Sequence, residues 1–335
     1  MHKDLLIKDL LILCHPDQPG LESTAAQKTD LKDSSKRNAQ RFGVWMAGRD
    51  LIPDEVICDP SLASRTAAEK SSKAAGIDER IVRTTDGLNG ASVAAFVDAI
   101  EGFDPGTDCA LIAVTSSVAK RFVAHACRGK LKSDLGAFVA ETDVLVHLRL
   151  PSDWKQIVPG SGELVQTIGS EALPKTFPFP DVRGTEQRPR PAYYYRQSAV
   201  IPFRVREGML EILVVSTSKR KRWGVPKGIH DPGKTAQASA ANEAMEEAGV
   251  LGNVLDVELG GYTYAKWGAT CVVKVFPMEV TEVLAPGDWP ESYRGREWLS
   301  PAAAAERVHQ DELKRMIKDL PRRLAKENRD ENHHG

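Results

Sequence analysis

Hydrophobic residues in the first half of the chain gather in short continuous runs: Leu10-Leu11-Ile12-Leu13, Val56-Ile57-Cys58 after Glu55, residues 110–114 and residues 144–150. Runs this short read as strands buried on both faces. Between them lie stretches such as residues 39–46, whose apolar positions recur with helical spacing. Alternating strands and helices predict an α/β layered domain over residues 1–155, with its functional loops after the strand C-termini.

The pattern changes over residues 156–192. Pro159-Gly160-Ser161-Gly162 is followed by Pro174, Pro178, Pro180, Pro189 and Pro191, which interrupt any long regular element. This stretch is expected to connect two domains, with Ile168, Phe177 and Phe179 holding it against a domain surface. Beyond it, strands are expected at residues 198–204, 209–216 and 270–276, with one clear helix over residues 235–248. Together these predict a mixed sheet flanked by helices over residues 193–325. A last helix, carried by Val308, Leu313, Met316, Ile317 and Leu320, is expected to kink or restart at Pro321. Residues 326–335 are almost wholly polar and read as a frayed tail.

At 335 residues the chain has room for two cores. Its 45 Lys and Arg against 46 Asp and Glu leave a net charge of −1. No overall basic field therefore draws it to nucleic acid or to an anionic membrane, and an anionic ligand must be caught by a local cluster. Charges interrupt the apolar residues of the N-terminus, and no run approaches the length of a membrane span, so the expected location is the cytosol. The five cysteines (Cys14, Cys58, Cys109, Cys127, Cys271) show no CxxC pairing and are expected to stay reduced.

The most informative stretch is residues 228–250, GIHDPGKTAQASAANEAMEEAGV. On a helix Glu243, Glu246 and Glu247 stand at i, i+3 and i+4, so three carboxylates crowd one face and repel one another. Oxygen ligands converging in this way suit Mg²⁺ or Mn²⁺, which would offset the repulsion. The lead-in Trp223-Gly224-Val225-Pro226-Lys227-Gly228 is a Pro and Gly turn that lets backbone approach the helix. Before it, the run Lys219-Arg220-Lys221-Arg222 offers cations for phosphate oxygens.

At these residues the chain resembles the Nudix hydrolases, whose box reads G, five residues, E, seven residues, REUxEExGU. The carboxylate core falls on Glu243, Glu246 and Glu247, followed by Gly249-Val250. Lys234 stands where the box has its first Glu, Asn242 where it has its Arg, and Ala244 at its bulky aliphatic position. The two charged departures fall on positions that pair with one another in the family, so losing both leaves no orphan charge. Residues 196–203, 223–228, 289–291 and 294–298 are similar to the branch acting on diphosphoinositol and diadenosine polyphosphates.

That resemblance implies a C-terminal α/β/α sandwich hydrolysing a phosphoanhydride with Mg²⁺ or Mn²⁺. The ion would be held by Glu243, Glu246, Glu247 and a backbone carbonyl of Lys227 or Gly228. Glu247 is taken as the general base, with Glu246 beside it. Arg196, Ser218 and Lys219 are implied as polyphosphate contacts, with Lys266 and Arg294 as further candidates.

In the first half, the strand at residues 10–13 runs into Cys14-His15-Pro16, and its surroundings resemble the histidine phosphatases of the SixA type. These use a histidine nucleophile in an RHG motif, two arginines and a second histidine. Here His15 matches the nucleophile, but Cys14 takes the first Arg position and Pro16 the glycine. Ala63 stands for the second Arg, with Arg65 two residues on, and Ser116 for the second histidine. A lone imidazole does not supply the positive donors a transferring phosphoryl group needs. The domain is therefore expected to have the α/β/α fold without the activity, and His125 and His147 read as structural.

The expected whole is a degenerate phosphatase-like domain joined to a Nudix domain that acts on a dinucleoside polyphosphate or another polyphosphorylated small molecule. A homo-oligomer formed through the first domain is compatible with it. The rival reading is a regulatory protein in which both chemistries are lost. Lys234 and Asn242 favour that rival, and the intact carboxylates oppose it.

Overall fold

A computed structural model describes residues 7–17, 29–128, 143–181 and 184–331. It divides into two compact units, residues 1–177 and 178–335.

The first unit comprises β1 (Lys8–His15), α1 (Asp33–Ala47), β2 (Glu55–Cys58), α2 (Leu62–Ala75), β3 (Val82–Thr84), α3 (Val93–Glu101), β4 (Cys109–Thr115), α4 (Ser116–Ala126), β5 (Val144–Leu150) and β6 (Glu163–Gly169). Its sheet has the order β3-β2-β4-β1-β5-β6. The first four strands run parallel, while β5 and β6 are antiparallel to their neighbours. Side chains alternate across a strand, and β1 divides accordingly. Leu10, Ile12 and Cys14 pack with Phe96, Ile100 and Phe122 of α3 and α4. Leu11 and Leu13 pack on the other face with Phe42, Met46 and Ala67 of α1 and α2. The result is the expected helix-sheet-helix layering, with the ends of β1, β2 and β4 side by side.

Residues 156–192, read from sequence as a connection, carry more structure than that. Residues 163–169 add β6 to the first sheet, because Ile168 is buried against the α1 and α2 face. Prolines are confined to the flanks and to a two-stranded ribbon, β7 (Phe177–Asp181) with β8 (Gly184–Arg188).

The second unit continues with β9 (Arg196–Arg206), β10 (Met209–Ser216), β11 (Trp223–Gly224), β12 (Lys227–Ile229), α5 (Ala236–Ala248), β13 (Val250–Val254), β14 (Gly260–Lys266), β15 (Ala269–Val283), β16 (Arg296–Leu299), α6 (Pro301–Arg307) and α7 (Asp311–Glu331). The mixed sheet is centred on β9, which is parallel to β15 and antiparallel to β10 and β12. Alternation along β9 again decides the layers. Ala199, Ile201 and Phe203 face Leu313, Ile317 and Leu320 of α7, and Val200 faces the alanines of α5.

Helix α7 continues through Pro321 and does not restart there, and it extends to Glu331 where a frayed tail was expected. The buried stripe Leu313, Ile317, Leu320 with half-buried Leu324 spans both sides of the proline. Packing of that stripe offsets the backbone hydrogen bond lost at Pro321, whose own side chain is exposed. Residues 332–335 lie outside the described residues.

Candidate active site

Helix α5 starts where Thr235 accepts a hydrogen bond from the Ala238 N–H, and it ends at Gly249, whose φ of 59° is left-handed. Its inner face is Ala240, Ala244 and Ala248, each fully buried. Alanine at that spacing lets the helix lie close on Val200 and Leu213, so Ala244 fits this packing where the family pattern has a larger residue. The carboxylates occupy the neighbouring face.

The segment after β15 holds the last turn of α5 from outside. Trp289 packs on Gly249 so closely that a Cβ there would lie 2.4 Å from the indole. The Arg296 guanidinium donates to the carbonyls of Ala248 (2.8 Å) and Gly249 (3.1 Å), neutralising the negative end of the helix. The Glu291 N–H donates to the Glu246 carbonyl at 3.0 Å.

Glu243 lies against Gly228 on β12, and a Cβ on that glycine would fall 1.7 Å from Glu243 Oε1. Only glycine permits the approach. Burial, then Glu247, Glu246 and Asp231, push the Glu243 carboxyl up to about 8, while Lys227 acts in the opposite sense. Glu247 is engaged on both oxygens. Arg294 meets Oε1 at 2.8 Å, and the Lys227 N–H donates to Oε2 at 3.2 Å. Burial raises this carboxyl as well, against the pull of Arg294 and Lys227. Glu246 is exposed.

Among the described residues no three acidic, His or Cys side chains already enclose a cation position. The donor set still fits a divalent ion. Glu243 is a partly buried carboxylate crowded by like charges, and bare backbone stands beside it at Gly228.

Of the residues expected from sequence, Glu243, Glu247, Lys227, Gly228 and Arg294 come together. Lys266 stands over the Trp267 ring at 4.1 Å, and its ammonium is lowered by burial and by Lys227. Arg196, Ser218 and Lys219 are exposed, and no hydrogen bond or ion pair joins them to α5 among the described residues. Nor does the basic run reach the helix through Arg220, which adopts φ 52° in an exposed turn and donates to the Tyr293 carbonyl. Lys234 does not lack a partner, because it pairs with Asp231 at 3.0 Å, and Asn242 is exposed.

Sequence reading missed the seat of the Lys227 ammonium, which donates to Gln197 Oε1 (3.3 Å) and Tyr264 Oη (3.1 Å). Burial lowers this lysine, against Glu247 and Glu243. Its partners come from β9 and β14, so no local spacing could have revealed them.

The first unit assembles its strand ends differently from an open site. His15 is 3% exposed. Its Nε2 lies 2.7 Å from Ser64 Oγ, whose hydroxyl donates to Asp59 Oδ2 at 2.5 Å, and Nδ1 lies 3.1 Å from the Pro16 carbonyl. The Ser116 hydroxyl donates to the His15 carbonyl at 3.0 Å. At the start of α4, the N–H and hydroxyl of Ser117 donate to Asp17 at 3.1 and 2.8 Å. Burial, then Asp17 and Asp143, raise the Cys14 thiol far above its usual range. Ala63 is buried in the core and Arg65 is exposed. His147 bonds Asp9 at 2.7 Å, which agrees with a structural role.

Residues 195–320 match the model of the NUDIX domain family. Two similar proteins of Arabidopsis thaliana are Nudix hydrolase 12, mitochondrial, 33% identical over 129 residues, and Nudix hydrolase 17, mitochondrial, 34% identical over 119. The matches span 36% and 35% of this chain and 63% and 64% of those proteins, so the chain covers less than two thirds of either relative. Among solved structures, a C. elegans Ap4A hydrolase binary complex aligns with 39% of this chain and 98% of its own at 20% identity and a TM-score of 0.35. The protein histidine phosphatase SixA complexed with tungstate aligns with 48% of this chain and 97% of its own, at 15% identity and a TM-score of 0.40. Over residues 195–320, this chain carries a Nudix domain.

Proposed function

We propose that the second unit hydrolyses a phosphoanhydride in a dinucleoside polyphosphate or another polyphosphorylated small molecule, with Mg²⁺ or Mn²⁺ as cofactor. The observation that carries this reading is the Glu243 carboxylate, set against the bare backbone of Gly228 and crowded by Glu246, Glu247 and Asp231. Such crowding destabilises a protein with no cation to receive. A divalent ion held there would supply positive charge to the phosphoryl oxygens and would lower the pKa of a bound water.

In this reading Glu243, Glu246 and Glu247, with a carbonyl of Lys227 or Gly228, hold the ion, and Glu247 takes the proton from the attacking water. Lys227, braced by Gln197 and Tyr264, presents its ammonium beside the carboxylates, with Lys266 nearby. Arg196, Ser218 and Lys219 would meet the more distant phosphates. The Lys234 pair with Asp231 weakens the regulatory rival, since this departure from the family pattern is compensated locally.

The first unit is proposed to be catalytically inactive. Both ring nitrogens of His15 are engaged, so no free lone pair is presented to phosphorus. The Asp17 carboxylate already takes the donors at the start of α4 and would repel a phosphate there. Five free buried cysteines accord with a reducing compartment such as the cytosol.

The test is release of phosphate or nucleotide from dinucleoside polyphosphates, nucleoside triphosphates and diphosphoinositol polyphosphates, with Mg²⁺ or Mn²⁺. Wild-type turnover that disappears in Glu246→Gln plus Glu247→Gln is expected. A folded, metal-replete protein inert toward the whole panel would overturn the reading.

A further inference from the structure

Glu247 and Glu243 belong to the same carboxylate face but are treated differently. Glu243 has no hydrogen-bond or ion-pair partner among the described residues, whereas Glu247 holds Arg294 at 2.8 Å and the Lys227 N–H at 3.2 Å. The ion pair is largely shielded, with side-chain exposures of 14% and 12%. Arg294 therefore already neutralises the charge that Glu247 would offer to a metal ion.

The same guanidinium holds two further partners at the same time. Its Nε donates to Glu291, and its Nη1 donates to the Ser216 carbonyl at 3.2 Å. Glu291 is the more exposed carboxylate, with a side chain 34% accessible. Arg294 can thus leave Glu247 without becoming an unpaired buried charge, which would otherwise forbid the move. Two cations on one carboxylate repel each other, so an ion arriving at Glu247 and the guanidinium cannot both be held closely there.

Resting on the hydrolase reading above, we infer that Arg294 is an internal counter-cation that competes with the divalent ion for Glu247, and that Glu291 tunes the competition by sharing the same guanidinium. Both are positioning residues. They act on metal affinity through Glu247 and lie outside the three-glutamate set.

The experiment is Mn²⁺ titration of the EDTA-treated full-length chain, followed by loss of the free-ion EPR signal. Arg294→Gln is expected to bind Mn²⁺ roughly fivefold or more tightly than wild type, the lower end of ordinary coupling between sites. Glu291→Gln, which leaves Glu247 as the sole carboxylate of Arg294, is expected to bind more weakly. Unchanged or weaker binding in Arg294→Gln overturns the inference, since a purely structural salt bridge predicts that result. Should Arg294→Gln fail to fold, Arg294→Lys replaces it, because a single ammonium cannot span Glu247, Glu291 and the Ser216 carbonyl, and it too should tighten binding. Wild-type protein without saturable Mn²⁺ binding would sink the hydrolase reading and this inference together. Saturable wild-type binding with all variants alike would sink this inference alone.

Discussion

The carboxyl of Glu243 connects charge to stability in a measurable way. Below its ordinary value of 4.5 it is protonated in folded and unfolded chains alike and contributes nothing. Between 4.5 and about 8 the unfolded chain releases a proton that the folded chain retains, so the folded state loses stability as pH rises. Glu243→Gln removes that loss. Thermal melts in EDTA should show the variant several degrees more stable than wild type near pH 8 and equal to it near pH 4.5. Equal melting at both pH values would contradict the crowding described here. The thiols make a second residue-scale case. Burial pushes Cys58 and Cys109 up to about 12 and Cys14 further, so at pH 8 only about one in ten thousand of such groups is thiolate. Ellman's reagent should react slowly with the native protein and rapidly with all five cysteines after denaturation.

At the scale of elements, α5 is placed by its two ends and by one glycine beside it. Gly228→Ala should leave the fold intact and displace Glu243, since the new Cβ would meet a side-chain carboxylate that can rotate away. Turnover and Mn²⁺ affinity should both fall at least tenfold with little change in melting temperature; unchanged affinity would remove Gly228 from the site. Gly249→Ala differs, because it meets the Trp289 ring and also forces a left-handed alanine. It should cost about 1–3 kcal/mol in urea denaturation. The acidic face of α5 was legible from the i, i+3, i+4 spacing alone, because a helix converts that spacing into adjacency. The Arg296 and Trp289 supports were not legible as such, because they arrive from beyond β15 and meet α5 only in three dimensions.

Across the whole molecule, the proposed chemistry belongs to the second unit alone. His15→Ala should leave every phosphate-releasing activity unchanged, while Glu246→Gln plus Glu247→Gln abolishes it; a loss in His15→Ala would return a catalytic role to the first unit. Local sequence determined the layered α/β character of both units and the acidic face of α5. Each rests on periodicity or on residue type at one position, which short-range geometry turns into structure. Tertiary structure alone decided that residues 163–169 join the first sheet and that α7 runs through Pro321, since burial outweighs the local signal of proline and glycine. It also decided the pairings that set the charges: Lys234 with Asp231, Lys227 with Gln197 and Tyr264, Arg294 with Glu247 and Glu291. An arginine in a sequence carries only its charge. Which carboxylate it neutralises depends on strands and loops that meet only when the sheet closes.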